Sequence, residues 1–180
     1  LDLTRLVSRL GKGALTGIDR VELAYLRRFV ADAPPLFGLV RSAAGWLLLD
    51  RAGCRALERL ALPNVPLPRA DLLSRLLHRR DPARARAETA TRQLAMARAS
   101  RTGLGRLLRL MPRPVAYFNV GHANLTAPVL SAFRSAGILI RVMVHDTIPL
   151  DHPQLVRAGS IAPFRQKLAA IATHADCVVR

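Results

Sequence analysis

Cysteine is scarce in this sequence, and that scarcity argues against two classes of small protein. The two cysteines, Cys54 and Cys177, lie far apart along the chain in apolar surroundings. Disulfide frameworks and structural zinc sites need cysteines in pairs at characteristic spacings, which this chain does not have. We therefore expect both thiols to be reduced and buried, as in a cytoplasmic protein.

Long uncharged hydrophobic runs are also missing. No segment has the roughly 18 consecutive apolar residues of a transmembrane helix. The amino terminus lacks the basic, apolar and small-residue regions of a secretory signal. The sequence thus predicts a cytoplasmic protein.

Acidic residues are few, with 12 Asp and Glu against 28 Lys and Arg, which gives a formal net charge of +16. Lys12 and Lys167 are the only lysines. A positive charge of this size attracts nucleic acid, acidic lipid headgroups and phosphorylated substrates alike. The abundance of arginine and alanine is equally typical of a high-GC bacterial genome, so the charge alone does not identify a partner.

The excess charge is concentrated in residues 69–113, which contain 12 arginines and three acidic residues, a local balance of +9. Leucines at helical spacing predict one or two amphipathic helices here, with a break at Asp81-Pro82. Such helices can present a solvated basic face, lie on an anionic membrane or bind nucleic acid. Nucleic acid is the least supported partner, because the segment contains no aromatic residue for base stacking.

The order of the predicted elements indicates an α/β fold. Four apolar runs predict strands at residues 1–7, 114–120, 138–144 and 176–179, with helical periodicity between them. Two shorter runs, at residues 36–40 and 46–50, predict a hairpin. Strand, helix and strand at these spacings are typical of a doubly wound, mostly parallel sheet with helices on both faces.

The length of 180 residues suits one domain with a substantial core. The first residue is Leu rather than Met, and residues 175–180 read as a strand cut short. We therefore expect residues 1–180 to be one domain of a longer protein.

Residues 138–153 are the strongest candidate for chemistry. The apolar run 138–144 is typical of a strand buried on both faces, and it stops at His145-Asp146. Pro149 and Pro153 forbid a regular continuation. Two titratable groups are thus left at the carboxyl end of a buried strand, where open α/β sheets bind their ligands.

The preceding predicted strand ends in Gly121, His122 and Asn124, so His122 and His145 are expected at the same edge of the sheet. One hypothesis is a polar cleft in which His145 binds or orients a sugar hydroxyl or a phosphate. Another is the metal site of a metal-dependent hydrolase, although no short ligand spacing supports it. Its four ligands would be His122, His145, Asp146 and His152.

A glycine-rich loop, residues 8–17, precedes a helix that begins at Ile18. Gly11, Gly13 and Gly17 would let an anion approach the backbone, and the first-turn amides would point free hydrogens at it. The spacing matches neither the dinucleotide fingerprint nor a P-loop, so a plain connection is equally consistent with these residues.

Two motifs resemble those of bacterial glycosyltransferases of family 4. Residues 16–22, TGIDRVE, resemble the TGI-x-R opening of that family. Residues 144–150, VHDTIPL, followed by His152-Pro153, resemble its HD-x-IPL-x-HP stretch. The resemblance spans essentially the whole chain and implies the first of the two Rossmann-like domains of a GT-B fold. That domain binds the acceptor in a retaining enzyme, which transfers a hexosyl group from a nucleotide-sugar to a polysaccharide or lipid-linked acceptor.

The resemblance also implies roles for individual residues. His145 would lie by the sugar at the reacting centre, and Asp146 would orient it or shape the turn. The resemblance implies no bound metal and no resident cofactor, with the nucleotide-sugar as co-substrate. The substrate- and phosphate-binding residues would be Gly13, Thr16, Gly17, Arg20, Gly121, His122 and Asn124.

One motif of the family is absent. Its donor-binding pair of glutamates, separated by seven residues, has no counterpart here, because Glu22, Glu58 and Glu88 are the only glutamates. We therefore expect the donor domain to be missing and the chain alone to be inactive. Since many such enzymes use lipid-linked acceptors, the resemblance favours peripheral attachment to the inner face of the cytoplasmic membrane through residues 69–113. A basic module that binds membrane or nucleic acid without catalysis is the non-enzymatic alternative.

Overall fold

The computed structural model describes residues 1–32, 35–157 and 159–179. The α-helices are Thr4–Arg9 (α1), Gly17–Ala31 (α2), Arg51–Leu60 (α3), Leu72–Leu77 (α4), Pro82–Leu94 (α5), Leu104–Leu108 (α6), Ala127–Ser135 (α7), Ile148–Asp151 (α8) and Ile161–His174 (α9). The strands are Gly38–Ser42 (β1), Gly45–Leu49 (β2), Ala97–Ala99 (β3), Ala116–Asn119 (β4), Leu139–Met143 (β5) and Cys177–Val179 (β6). A short 3-10 helix spans Pro153–Leu155. The α/β class predicted from the sequence is confirmed.

The first sheet is antiparallel, in the order β1-β2-β3. The predicted hairpin is present, and Val40 lies opposite Leu47 in its register. Its turn requires glycine at position 45, where φ is 144° and a Cβ would overlap the carbonyl oxygen of Ala99 on β3. The third strand comes from the basic segment, where only helices were expected.

The second sheet is parallel, in the order β4-β5-β6, as the alternation of strands and helices predicted. Asn119, the last residue of β4, lies opposite Val142 of β5, and Met143 lies opposite Val179 of β6. Helices α7 and α9 make the two crossovers. Because the strands are parallel and in this register, the residues that follow β4 and β5 emerge at the same edge of the sheet.

The first three residues form an extended segment that joins the two sheets. Leu39 of β1 donates its N–H to the carbonyl of Leu1 (2.9 Å) and accepts the N–H of Leu3 (2.8 Å). On the other side, Asp2 donates its N–H to the carbonyl of Phe118 in β4 (2.8 Å). These bonds hold Asp2 inside the protein, next to β4.

The chain turns into a helix immediately after this segment, so the expectation of a strand over residues 1–7 and a loop from residue 8 is wrong. Leu3, Leu6, Val7 and Leu10 are all buried. Their spacing of three and four residues is that of one helical face, which buries more apolar surface here than an extended chain would. The glycine-rich loop is therefore shorter than predicted and follows α1.

The strand that carries the strongest candidate is not buried on both faces. Ile140 and Val142 of β5 are buried, whereas Leu139 is 51% exposed and Arg141 is also exposed. Ile140 and Val142 share a core cluster with residues of α7 and α9, whereas on the side of Leu139 only Met143, at the end of the strand, packs against the core. The prediction that residues 138–144 form a strand buried on both faces is therefore wrong.

The two cysteines differ in burial. Cys54 is buried in the core as expected, and burial raises the pKa of its thiol to about 11. Cys177, expected to be buried, is exposed on β6, which has a neighbouring strand on one side only within the described residues.

The basic segment is more varied than one or two amphipathic helices, because it contains α4, α5, β3 and α6. The predicted break at Asp81-Pro82 is confirmed, and Asp81 caps α5 by accepting the N–H of Arg84 (3.0 Å). Arg92 is buried and joins α5 to α4 through hydrogen bonds to Asp71 (2.8 Å) and Ser74 (2.6 Å).

Candidate functional site

The residues that follow β4 and β5 lie side by side at the carboxyl edge of the parallel sheet. β4 leads through Val120 and Gly121 to His122, and β5 leads through Val144 to His145. The centroids of the two imidazole rings are 5.0 Å apart, and the ring planes are tilted by 48°. Both side chains are partly exposed, so a ligand can reach them.

Each histidine is hydrogen-bonded to the strand end that carries the other. Nε2 of His122 lies 2.9 Å from the carbonyl oxygen of Met143, which ends β5. Nε2 of His145 lies 2.7 Å from the carbonyl oxygen of Val120, which follows β4. We call this arrangement the crossed histidine pair. It fixes the orientation of both rings through backbone atoms.

The crossed pair also determines where the ring protons are. A carbonyl oxygen can only accept, so Nε2 of each histidine must donate. The backbone nitrogen of His145, 3.4 Å from Nε2 of His122, is then a close neighbour and not a donor to it. Burial, reinforced by the nearby charges of Lys167 and His145, lowers the pKa of His122 to about 4. His122 is therefore neutral at pH 7, with Nδ1 left as an acceptor that makes no hydrogen bond among the described residues.

The turn that carries His122 is held by Asn119. The Asn119 side chain accepts the N–H of His122 (3.0 Å) and donates to the carbonyl of Ala123 (2.5 Å). These bonds stabilise a turn in which His122 and Asn124 have φ values of 60° and 58°, a left-handed conformation that non-glycine residues rarely adopt. Such strain is often found at functional sites, where the surrounding structure compensates for it.

A buried carboxylate lies beneath this turn. Asp2 is 1% exposed and accepts hydrogen bonds from the Tyr117 hydroxyl (2.7 Å), the Asn124 amide (2.8 Å) and the Thr4 backbone (3.0 Å). Asn119 donates in turn to the Tyr117 hydroxyl (2.7 Å), so a chain of hydrogen bonds runs from the turn to Asp2. Burial raises the pKa of Asp2 despite these bonds.

A second buried acid, Glu22 of α2, has no partner of good geometry. Its side chain is fully buried, and neither carboxyl oxygen makes a hydrogen bond among the described residues. Burial and the nearby Asp2 raise the pKa of Glu22 well above its ordinary value, so the carboxyl group is favoured in its neutral form. Gly121 lies against it, and a Cβ at position 121 would be 2.5 Å from Oε2 of Glu22. Glycine is therefore required where β4 turns towards His122.

Two cations flank the crossed histidine pair. The side chain of Arg5, on α1, lies next to Gly121, and Lys167, on α9, is close enough to His122 to lower its pKa. Burial and Arg5 lower the pKa of Lys167 itself. Its ammonium group makes no hydrogen bond or ion pair within the described part of the chain, so it is free to meet an anion.

Arg5 connects this edge to the loop and first turn of α2. Four of the expected binding residues lie there, namely Gly13, Thr16, Gly17 and Arg20. Its guanidinium donates to Asp19 (2.7 Å) and reaches the Thr16 hydroxyl (3.4 Å). Asp19 also accepts from the backbone (2.8 Å) and the hydroxyl (2.6 Å) of Thr16. Burial alone would raise the pKa of Asp19, but the bonds from Thr16 and Arg5 outweigh it and lower the pKa. A carboxylate thus already occupies the amino end of α2, the place expected for a phosphate.

The other residues of the glycine-rich loop are open to solvent. Gly13 and Gly17 are exposed, and nothing lies within 4 Å of a Cβ placed at either of them. Arg20 is exposed as well and donates to the carbonyl of Leu15 (3.3 Å). The structure therefore separates the expected residues into a histidine edge, with Gly121, His122, Asn124 and His145, and a more exposed loop.

The remaining residues of the second motif shape a turn. Asp146 accepts the N–H of Ile148 (3.2 Å) and makes no hydrogen bond to His145, whose ring is held by Val120 instead. His152 is exposed. Within residues 1–32, 35–157 and 159–179, no three His, Cys, Asp or Glu side chains converge to hold a metal ion. The hydrolase hypothesis therefore has no ligand cluster in the described residues.

Several members of the site were not expected from the sequence: Asp2, Arg5, Glu22, Tyr117, Asn119 and Lys167. The one available signal was Asp2 inside the apolar start LDL, because a charged side chain in such a run is either exposed to solvent or paired with another polar group.

Comparisons with known proteins leave the family open. Neither a scan of protein-family models nor searches of curated proteins and of solved structures found a match to this chain. In addition, no helix in the described residues is long and apolar enough to cross a membrane.

Proposed function

We propose that this chain is the acceptor-side domain of a retaining glycosyltransferase that uses a nucleotide-sugar donor. The observation that carries the proposal is the crossed histidine pair at the carboxyl edge of a parallel sheet. Two imidazoles of fixed orientation, each with Nδ1 outside the crossed hydrogen bonds, suit the hydroxyl groups of a sugar. The two glycosyltransferase-like motifs add support, because the second of them contains His145.

Within this proposal the two sheets belong to one Rossmann-like, doubly wound domain. The hydrogen bonds of residues 1–3 to β1 and to β4 support that interpretation, since they make the short segment a strand between the sheets. Ligands of such folds bind beyond the carboxyl ends of the strands, where His122 and His145 lie.

The chemistry follows from the charges around the histidine edge. The nucleotide-sugar carries a diphosphate, and the free ammonium of Lys167 next to Arg5 supplies positive charge near it. His145 accepts a hydrogen bond from a sugar hydroxyl at the reacting centre, while His122 keeps its turn in place. Arg5 is largely engaged with Asp19, so Lys167 is the principal cation for the phosphates.

Sugar transfer by the full-length gene product tests this proposal. The assay measures release of nucleoside diphosphate from a panel of nucleotide-sugars, with a lipid extract as the source of acceptor. Replacing a group that contacts the reacting centre typically lowers the rate by about 10² to 10⁴, so we expect a loss of that size for His145→Ala. His152→Ala is the control, because His152 is exposed and outside the crossed pair.

Two results would refute the proposal. One is full transfer activity in the His145→Ala variant. The other is the absence of nucleoside diphosphate release from every donor tested with the correctly folded full-length protein.

A further inference from the structure

Helix α4 exposes leucine on most of its surface. Leu72 is 74% exposed, Leu73 46%, Leu76 61% and Leu77 40%, and Ser74 is the buried residue of the helix. Single exposed leucines are ordinary on protein surfaces, but four within six residues form a contiguous apolar patch. Such patches mark surfaces that contact a protein, a membrane or a ligand.

Arginines surround this patch. An open groove next to α4 is lined by Leu72 and Leu76 together with four arginines and no acidic residue. None of the four makes a hydrogen bond or ion pair within the described residues. They are Arg69, Arg75, Arg79 and Arg86. We refer to these arginines and the four leucines of α4 as the leucine–arginine face.

The nearby acids are engaged elsewhere and leave this charge uncompensated. Asp71 pairs with Arg92 (2.8 Å) and Asp81 with Lys12 (2.5 Å). Glu88 is buried and binds Arg84 (2.9 Å). The face therefore combines exposed apolar side chains with unpaired guanidinium groups.

We propose that the leucine–arginine face docks onto an anionic lipid bilayer. Leucines that enter the boundary between headgroups and acyl chains, with arginines beside them on lipid phosphates, are the arrangement of an interfacial helix. Nucleic acid fits less well, because the groove has no Phe, Tyr or Trp for base stacking, its one imidazole, His78, already lies 3.1 Å from Glu88, and the leucines would stay uncovered. This inference is independent of sugar transfer, since it rests on α4 and its neighbours alone.

The rest of the fold presents α4 without using its leucines. Arg92 of α5 holds Asp71 and Ser74 at the start of α4, and the Thr89 hydroxyl accepts the backbone N–H of Asp71 (3.1 Å). Substitution of the exposed leucines should therefore leave the fold intact. In turn, α5 packs on α1, the helix that carries Arg5 of the histidine edge.

Co-sedimentation with vesicles tests the apolar part of the proposal. The full-length protein is mixed with phosphatidylcholine vesicles that contain or lack phosphatidylglycerol. We expect Leu72→Ser to weaken binding to the anionic vesicles by about fivefold, because a leucine leaves the apolar boundary. Leu155→Ser is the matched control, since Leu155 is 72% exposed on the 3-10 helix, and it should bind as the wild type does.

The charged part has its own matched pair of variants. Arg75→Gln with Arg79→Gln removes two charges from the face and should weaken binding at low salt by about twentyfold. Arg55→Gln with Arg59→Gln removes the same charge from exposed positions of α3 and should have a much smaller effect. High salt should reduce the difference between the two pairs.

Three outcomes would overturn the proposal. The first is equal binding to neutral and anionic vesicles, or equal effects of Leu72→Ser and Leu155→Ser. The second is a dimer in sedimentation velocity that Leu72→Ser dissociates, which would assign the face to a second copy. The third is binding to an oligonucleotide that needs Arg75 and Arg79 but not Leu72, which would assign it to nucleic acid. Circular dichroism of each variant checks that the fold is unchanged.

Discussion

The contact between Gly121 and Glu22 makes a quantitative prediction about stability. A methyl group at position 121 would be 2.5 Å from Oε2 of Glu22, 3.0 Å from its Cδ and 3.1 Å from Cβ of Arg5. Glu22 is fully buried and cannot swing into solvent. Forcing a methyl group into such a site costs roughly 1–3 kcal/mol. Restricting the unfolded chain by Gly→Ala recovers about 0.4–1 kcal/mol. We therefore expect Gly121→Ala to lower the free energy of unfolding by about 1–2 kcal/mol.

A double-mutant cycle isolates the cause of that loss. In a Glu22→Ala background only the 3.1 Å contact with Cβ of Arg5 remains, so Gly121→Ala should cost much less than in the wild type. Urea unfolding, followed by circular dichroism, measures the four free energies. Gly17→Ala is the control, because nothing lies within 4 Å of a Cβ there. If Gly121→Ala were as stable as the wild type, or equally destabilising in both backgrounds, the packing of Glu22 against Gly121 would be wrong.

Two further predictions concern the buried polar groups. Tyr117→Phe removes a hydroxyl that donates to Asp2 and accepts from Asn119, so it should lower the free energy of unfolding by about 1–3 kcal/mol. If urea unfolding showed a loss of stability no larger than that of a surface Tyr→Phe substitution, this hydrogen-bond network would be contradicted. The pKa of Glu22 is raised in the folded state. Above the ordinary pKa of glutamate, the unfolded chain therefore loses a proton that the folded protein keeps, so the stability contributed by this group falls as pH increases. Glu22→Gln should therefore be more stable than the wild type at pH 8, with a smaller difference at pH 4, and a gain in melting temperature that is larger at pH 4 would refute this reasoning.

The sequence was informative where a signal is local. The apolar run before His122 predicts β4 and the run before His145 predicts β5, because each ends abruptly in polar residues. The helical spacing that follows Ile18 predicts α2. That both histidines share one edge of the sheet could also be anticipated, since parallel strands that are successive in sequence end on the same side.

Other features depend on partners that are distant in sequence. The Asp2 carboxylate accepts a hydrogen bond from Tyr117, 115 residues away, and the apolar start LDL gives no indication of that partner. The crossed hydrogen bonds of His122 and His145 go to backbone carbonyls, which no residue pattern reveals. The exposure of Leu139 follows from which helices cover β5, and an apolar run alone does not report it.

The protonation of the crossed histidine pair, measured by NMR on imidazole-labelled protein over a range of pH, tests the site most directly. We predict that Nε2 of each ring carries a proton, that Nδ1 of His122 carries none at pH 7, and that His122 titrates only near pH 4. An unprotonated Nε2 on either ring, or titration of His122 near its ordinary pKa of about 6.5, would contradict the geometry on which the proposed sugar site depends.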